Sequence, residues 1–263
     1  MKTLHVNVLD HGYIRHIESW GSGEAGQQSV EIERYGESFS PFDFECGIIE
    51  AARQSTQGSF RGWEKDERLL KFMFEHKHNS PFEFAGMIIE VQAPIFVFRE
   101  WHRHRTQSYN EMSARYTPLP DLHYVPDRER CFMVQEKNKQ AQSQSGSSLI
   151  DRDVIGWLNG LQRFYEQAEV FYQFGLNLGI PKELARVCMP VGHYSRMRAS
   201  ANLRNWLAFL TLRMHPDAQW EIRQFANAVG KIISEQFPRT WKLFAVEAMK
   251  PFTDKNFDEM TAT

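Results

Sequence analysis

The spacing of apolar residues changes from segment to segment along this chain, and this change limits the possible folds more than any other feature. Apolar and polar residues alternate over 3–20 and 193–203, and 84–93 is rich in Met, Ile and Val, so all three segments are predicted strands. Five apolar residues within 158–172 instead recur at spacings of three and four, as on an amphipathic helix. Because strands and helices follow no regular βαβ rhythm, the sequence predicts an α+β fold with long helices packed on a mixed or antiparallel sheet.

Further helices are predicted from the same periodicity and from prolines near their ends. One begins at about Phe42, and the next ends near Asn79 because Pro81 disfavours a helical conformation at Ser80. The others cover 95–105, 182–189, 204–214 and, as the final helix, 218–237. The polar segment 135–148 has low complexity and is predicted to be a surface loop rather than a domain linker. Residues 1–263 are therefore predicted to form a single domain.

Cysteine content and hydropathy indicate the cellular setting. Cys46, Cys131 and Cys188 are well separated among 263 residues and form no C-x-x-C pair, which favours a reducing compartment. The first residues lack the order of a signal peptide, and no apolar run approaches the ~18 residues of a membrane span. We expect a soluble, cytoplasmic protein with no membrane partner.

Arginines are concentrated in two places although the net charge is only −2. Four lie within 99–115 and four within 196–213. A near-neutral protein with two such clusters is predicted to bind compact anions rather than a long polyanion.

The segment 103–116 reads RHRTQSYNEMSARY and is the strongest candidate for a functional site. A plain alternative is a helix end with solvated arginines. Three features favour a binding site: the polar groups are dense, arginine rather than lysine supplies the charge, and an apolar helix precedes the segment as a firm support.

This segment resembles the RHR-x7-S signature of the flavin-dependent thymidylate synthases, with Arg103, His104, Arg105 and Ser113 in the signature positions. Other landmarks of the family follow in the same order over roughly 40–245. They are the segments 76–83 (HKHNSPFE), 93–96 (APIF), 181–186 (PKELAR), 202–204 (NLR), 212–213 (LR) and 218–221 (AQWE).

The resemblance implies an FAD-dependent homotetramer with active sites shared between subunits. The implied reaction converts dUMP to dTMP, with 5,10-methylenetetrahydrofolate as carbon donor and NADPH as hydride donor. The residues implied to hold FAD are Ser80, Arg103, His104, Arg105, Glu111, Asn202 and Arg204. Those implied to hold dUMP are Glu100, Arg103, Glu111, Ser113, Ala114, Arg115, Arg186 and Arg213. His78 is expected near the path of the folate and nicotinamide.

Chemistry suggests how these residues divide the work. Arg115 and Arg186 suit a phosphate dianion, and Arg213 suits the uracil ring, where it would stabilise developing negative charge as the catalytic residue. Ser113 is interpreted as a binding residue because no base is implied beside it. Cys188 is interpreted as a packing residue, so no cysteine nucleophile is expected.

Ser80 replaces the Thr of some members of the family and keeps the hydroxyl, and two further positions depart from the family pattern more strongly. Ala208 stands where some relatives have Asn, and Asp217 stands where a His can occur, so flavin contacts at both positions are in question.

The sequence leaves three alternatives to a flavin-dependent enzyme. Metal binding by the H-x-H pairs at 76–78 and 102–104 is disfavoured because residues two apart do not share a helix face. A nucleic-acid-binding module is disfavoured by the net charge and the lack of a basic helix face. An inactive homologue that keeps the fold is disfavoured by the intact motif.

Overall fold

The computed structural model describes residues 4–24, 43–56, 59–133 and 150–248. The strands are β1 (His5–Val8), β2 (Gly12–Trp20), β3 (Gly86–Pro94), β4 (Ser108–Glu111) and β5 (Tyr194–Asn202). The α-helices are α1 (Cys46–Ala52), α2 (Trp63–Glu75), α3 (Ile95–Trp101), α4 (Arg128–Phe132), α5 (Asp151–Asn177), α6 (Lys182–Ala185), α7 (Leu203–Arg213), α8 (Trp220–Gln236) and α9 (Pro238–Ala248). Short 3₁₀ helices cover Gln54–Thr56, Ser80–Phe84 and Arg186–Cys188. The predicted α+β class is confirmed, whereas the predicted loop 135–148 lies outside the described residues.

The chain divides into two compact units. The first unit comprises Met1–Glu18, Met87–Ala201 and Leu212–Val229. The second comprises Ser19–Gly86, Asn202–Thr211 and Gly230–Thr263. The single domain over 1–263 stays a prediction.

A five-stranded sheet in the order β1-β2-β3-β5-β4 forms the framework of the first unit. Both outer pairs are antiparallel, with His5 opposite Arg15 and Glu111 opposite Met197. Gly12 begins β2 opposite Val8, directly after the first hairpin turn, and a Cβ there would lie 2.5 Å from the carbonyl oxygen of Val8, so a side chain has no room. The outer strand β4 carries the centre of the RHR-x7-S segment.

Helix α3 joins the sheet to this segment. The N–H groups of its first two residues, Ile95 and Phe96, donate to the carbonyls of His193 and Val191 at 2.9 and 3.0 Å. These bonds satisfy groups that a helix leaves unpaired at its start. Trp101 at the other end is fully buried and donates its indole N–H to Gln107 at 3.0 Å. The helix therefore holds the following residues in place.

The long helix α5 confirms the apolar stripe. Tyr165, Ala168 and Tyr172 are buried along it. The helix ends just before Gly179, which adopts a φ of +79°, a conformation that glycine tolerates at a helix end.

Several predicted helix bounds were wrong, and the helix predicted over 95–105 ends at Trp101. Helix α2 ends at Glu75 rather than near Asn79, because Lys77 turns to a φ of +57° and the His78 N–H donates to the Met73 carbonyl at 2.8 Å. A local bond of this kind satisfies the last carbonyls of a helix. The helix over 220–236 is also not the final one, because Pro238 starts α9.

The core of the second unit lies among α1, α2, α7, α8 and α9. Its buried side chains include Ile48, Leu70, Trp206, Ile233 and Phe237. No helix of the described residues is long and apolar enough to cross a membrane.

Candidate active site

The guanidinium of Arg213 is the best-anchored charged group of the predicted site. Its Nη1 donates to Glu100 Oε2 and its Nη2 to the Glu100 carbonyl oxygen, each at 3.0 Å. Its Nε donates to His104 Nε2 at 2.8 Å. Only 17% of the side chain is exposed. A guanidinium has five N–H donors, so two remain within the described residues for a ligand.

His104 serves Arg213 as a neutral acceptor. Burial, reinforced by the adjacent guanidinium of Arg213, lowers the pKa of His104 from 6.5 to about 4. The imidazole is therefore uncharged at neutral pH and carries its proton on Nδ1, since Nε2 accepts from Arg213.

The backbone of the motif is tied down by Tyr109. Its single hydroxyl proton is shared between the carbonyl of His104, at 2.7 Å, and that of Trp101, at 3.2 Å. Burial raises the pKa of Tyr109 to about 12, so it stays a donor throughout the neutral range. Sequence reasoning did not assign Tyr109 a role, although its position inside the motif offered a signal.

Arg103 and Arg105 flank His104 and are both exposed. Neither forms an ion pair with the described residues, so their guanidinium groups are available to an anion.

Glu111, the acidic residue of the motif, is hydrogen-bonded within the protein. Buried Ser195 donates to Glu111 Oε1 at 2.7 Å. This contact fixes the carboxylate at the outer strand β4, and sequence reasoning missed Ser195.

Residues at the end of the motif contact helix α6. Arg115 Nε lies 3.0 Å from Glu183 Oε2, and Lys182 Nζ donates to the Tyr116 carbonyl at 2.9 Å. Arg115 and Glu183 are more than half exposed, so their pairing is weak enough for a phosphate to compete. Arg186 follows in the 3₁₀ helix and is exposed, with no acid beside it among the described residues.

The centre of this loop is a tight turn. The N–H groups of Tyr116 and Thr117 donate to the Ser113 carbonyl at 3.1 and 3.3 Å. Ala114 is buried at 2% exposure, which leaves no room for a larger side chain without rearrangement. Ser113 Oγ accepts only a long 3.4 Å bond from the Arg115 N–H, so the hydroxyl retains capacity for a ligand.

The remaining predicted FAD residues lie in the second unit. Asn202 Oδ1 accepts the Asn205 N–H at 2.9 Å and so caps the start of α7. Arg204 forms an ion pair with Glu83 in the 3₁₀ helix that begins at exposed Ser80. The structure therefore brings Arg204 to the segment of Ser80. Sequence reasoning had quoted Glu83 only as a landmark.

Comparison with known proteins identifies the family. The family model described as "Thymidylate synthase complementing protein" matches residues 43–239. A flavin-dependent thymidylate synthase of Thermus thermophilus is 35% identical over 242 residues, which are 92% of this chain and 78% of the relative. One of Thermosipho melanesiensis is 37% identical over 241 residues, covering 92% and 93%.

The chain belongs to the flavin-dependent thymidylate synthase family.

Solved structures agree with this assignment. A UMP/dUMP methylase, PolB from Streptomyces cacaoi bound with 5-Br dUMP, has a TM-score of 0.71 and 28% identity, covering 92% of this chain and 97% of PolB. The same methylase bound with 5-Br UMP gives a TM-score of 0.70 and 30% identity. The predicted fold of the family is thereby confirmed.

The three cysteines of this chain ionise less readily than a free thiol. Burial raises the pKa of each thiol, and the carboxylate of Asp43 adds to the effect at Cys46. Cys46 is the fully buried one, at 2% exposure. Cys188, which the sequence suggested as the packing residue, is only half-buried and donates to the Ala185 carbonyl at 3.3 Å.

The two departures from the family pattern lie on or after α7. Ala208 is exposed on the helix and offers no polar atom beyond its backbone. Asp217 follows the helix with its carboxylate 70% exposed, 3.6 Å from His215 Nδ1. The imidazole of the neighbouring His215 is thus close to the position where the family can have a histidine.

His78 is exposed in the second unit beside an aromatic group. Its ring lies 5.5 Å from that of Phe72, on which His76 stacks at 4.1 Å. Within the described ranges, no group of three or more His, Cys, Asp or Glu residues could hold a metal ion.

Proposed function

We propose that this enzyme is a cytoplasmic, FAD-dependent thymidylate synthase that converts dUMP to dTMP. In this proposal 5,10-methylenetetrahydrofolate donates the carbon and NADPH the hydride, and no cysteine acts as nucleophile. Bound flavin would supply the hydride-transfer chemistry that this reaction needs. The protein supplies binding, orientation and charge.

The observation that carries the proposal is the fixed guanidinium of Arg213. Three hydrogen bonds to Glu100 and His104 set its direction before any ligand arrives. The two free N–H groups can then donate to a uracil carbonyl, where negative charge grows as the ring is activated. A donor that needs no reorganisation stabilises such charge most effectively. Arg213 is the proposed catalytic residue.

Glu100 and His104 act through Arg213 in this proposal. Glu100 accepts from both Nη atoms, and neutral His104 accepts from Nε. If His104 were protonated, two N–H donors would face each other at 2.8 Å. The lowered pKa of His104 therefore keeps the arrangement intact at neutral pH.

The phosphate of dUMP is proposed to bind at the end of the motif. Arg115 and Arg186 would supply charge, with Ser113 and the backbone at Ala114 completing the cradle. Because Glu183 holds Arg115 at 3.0 Å in an exposed pair, the guanidinium is oriented in advance yet can be shared with a phosphate. Arg103 and Glu111 complete the proposed dUMP set.

The donor set of the first unit fits an anionic cofactor. Arg103 and Arg105 are exposed and unpaired among the described residues, which suits the pyrophosphate of FAD. His104 and Glu111 complete this part of the proposed FAD set. In the second unit the proposed contacts are Ser80, Asn202 and Arg204, and His78 is proposed for the path of folate and nicotinamide.

A cysteine-free reaction is supported by the thiol environments. A nucleophilic thiolate needs a lowered pKa. Cys46, Cys131 and Cys188 all have raised values, and burial is the main cause in each case.

The proposed quaternary structure is a homotetramer with shared active sites. Its support is the outer face of α5, where large apolar side chains such as Trp157, Phe164, Phe171 and Phe174 are more than half exposed. Exposed patches of this kind mark interaction surfaces. Analytical ultracentrifugation should give four times the monomer mass of 30.9 kDa.

The decisive experiment is spectroscopic and enzymatic. Protein reconstituted with FAD should keep its flavin absorbance through gel filtration, and dUMP should perturb that spectrum. NADPH oxidation should then depend on dUMP, and dTMP should form only with methylenetetrahydrofolate. Flavin that elutes entirely free of the intact oligomer would contradict the cofactor assignment, and dTMP formation without methylenetetrahydrofolate would contradict the carbon donor.

A further inference from the structure

A cavity lies in the first unit, and none of the residues proposed for dUMP or FAD lines it. Its volume is about 520 Å³, and it is bounded by the hairpin β1–β2, the segment 121–125 and one face of α5. This volume is within the range of small-molecule sites and far above that of one water. Four carboxylates line it, from Asp10, Asp121, Glu166 and Glu169. Of the described residues that line it, none is lysine or arginine.

A buried histidine in the wall of this cavity lacks a hydrogen-bond partner. His123 is 8% exposed, and its Nε2 is unpaired. The ring stacks on Tyr165 with 4.6 Å between centroids, which fixes its plane. Its Nδ1 lies 3.7 Å from Asp121 Oδ1. A nearby carboxylate favours the proton on Nδ1, so Nε2 is left as an acceptor. Burial lowers the pKa of His123 and keeps the ring neutral.

A second acceptor in the same wall is also unpaired. Gln173 donates to Glu169 Oε1 at 2.7 Å, but the buried Glu169 Oε2 has no donor. Buried polar atoms are normally hydrogen-bonded, and an unpaired one costs free energy. Asp10 differs, because the Val125 N–H and the Tyr194 hydroxyl both donate to it. Two acceptors in the wall of this cavity, His123 Nε2 and Glu169 Oε2, therefore lack an N–H or O–H donor.

We propose that this cavity binds a small organic cation, a primary ammonium or guanidinium on a short apolar stem. Its N–H groups donate to Glu169 Oε2 and His123 Nε2, and its stem lies against Val125, Val170 and the ring of Tyr165. A bare metal ion does not fit, because no described group of three or more ligating side chains is arranged to hold one. A polyatomic cation can span acceptors that a single ion cannot reach.

The test is calorimetric titration of the full-length protein at low ionic strength, with three probes of graded chemistry. Butylammonium has the charge, the N–H donors and the stem, butanol lacks the charge, and tetramethylammonium has charge without N–H donors. We expect saturable binding of butylammonium in the millimolar range or tighter, with the other two at least about tenfold weaker. Equal binding of butylammonium and butanol, or no binding of butylammonium, overturns the proposal.

Variants locate the site. Glu169→Gln keeps the shape and removes the charge, so it should weaken butylammonium binding about 10- to 100-fold, as expected for a charge-assisted bond. Exposed Glu166→Gln, which cannot disturb the core, should weaken binding by a smaller factor. The control Glu235→Gln removes the same charge from an exposed position on α8, away from the cavity lining, and should bind as the parent does. Equal affinities in all three variants would place the cation elsewhere. The titration uses neither dUMP nor flavin, so its result is independent of the proposed function.

Discussion

Replacing Arg213 by alanine removes the guanidinium and the three hydrogen bonds that it donates to Glu100 and His104. Glu100 loses both of its 3.0 Å contacts, and His104 Nε2 loses its 2.8 Å bond. The remainder of the motif is anchored independently, because Tyr109 donates to the carbonyls of Trp101 and His104. We therefore expect Arg213→Ala to fold and to keep the backbone of the site.

The expected kinetic effect is a loss of kcat. The two free N–H groups of Arg213 act on charge that develops only as the uracil is activated. Loss of one preorganised donor typically lowers kcat by ~10²–10³, or about 2.7–4 kcal/mol. A contact made only in the transition state lowers kcat rather than substrate affinity. The Kd of dUMP should therefore change much less than kcat.

The same substitution should leave a signature in the pH dependence of stability. The pKa of His104 is about 4 in the folded protein and near 6.5 when unfolded, so the unfolded chain binds the proton first. Stability from this group is complete above pH 6.5 and is lost as pH falls toward 4, by at most about 1.4 kcal/mol per pH unit. Burial is the larger cause of the lowered pKa and remains in the variant, so without Arg213 the pKa of His104 rises only part of the way toward 6.5. The variant should therefore lose less stability than the parent across this window.

The assay combines dUMP dissociation constants, single-turnover rates of the reduced enzyme, and urea unfolding between pH 4 and 6.5. Arg68→Ala is the matched control, because Arg68 is exposed on α2 and no ion pair holds it among the described residues. It should leave all three measurements unchanged. If Arg213→Ala binds dUMP poorly yet turns over normally at saturation, Arg213 does not face the reacting ring. Identical acid destabilisation in parent and variant would refute the coupling to His104.

Three further predictions follow from other parts of the structure. Arg115→Ala should raise the Kd and KM for dUMP more than it lowers kcat, because the phosphate charge is similar in ground and transition states. Joint replacement of Cys46, Cys131 and Cys188 by alanine should preserve turnover, with a stability loss of about 1–2 kcal/mol from the buried Cys46 site. Gly12→Ala should lower the free energy of unfolding by about 1–3 kcal/mol, because its Cβ would meet backbone oxygens at 2.5 and 2.9 Å.

Each of these predictions has a control and a contradicting result. For Arg115 the control is again Arg68→Ala, and an unchanged dUMP Kd would remove Arg115 from the phosphate site. A folded, flavin-loaded triple cysteine variant without turnover would end the cysteine-free mechanism. For Gly12 the control is Gly160→Ala on α5, where a Cβ meets nothing within 4 Å and helix propensity favours alanine. Equal stability of the two glycine variants in urea unfolding would show that the hairpin tolerates a side chain.

Some elements of the fold could be predicted from residues that are close together in the sequence. The stripe on α5 follows from the spacing of apolar residues, and the end of that helix follows from the backbone freedom of Gly179. The RHR-x7-S segment is equally local and directed attention to the correct family. These features needed no knowledge of what lies across the molecule.

Local sequence failed where a backbone conformation was set by specific bonds. The end of α2 depends on Lys77 adopting a positive φ and on the bond from His78 to Met73. Lysine has no strong preference for a positive φ, so the residue type at position 77 did not predict the end of the helix. The extra helix α9 begins at Pro238, and proline is common in the first turn of a helix.

Only the tertiary structure decided which partners the functional side chains have. Arg213 and Glu100 are 113 residues apart in the chain, and Ser195 and Glu111 are 84 apart. Such pairs form because sheet order and helix docking bring distant segments together, and neither residue's local pattern encodes its partner. The same holds for the cavity between α5 and the first hairpin, where the unpaired His123 becomes evident only once the fold has buried it. The sequence by itself determined the kind of chemistry, through the residue types of the motif. The fold determined orientation, burial and the lowered pKa of His104, because these depend on distances that exist only after the chain has packed.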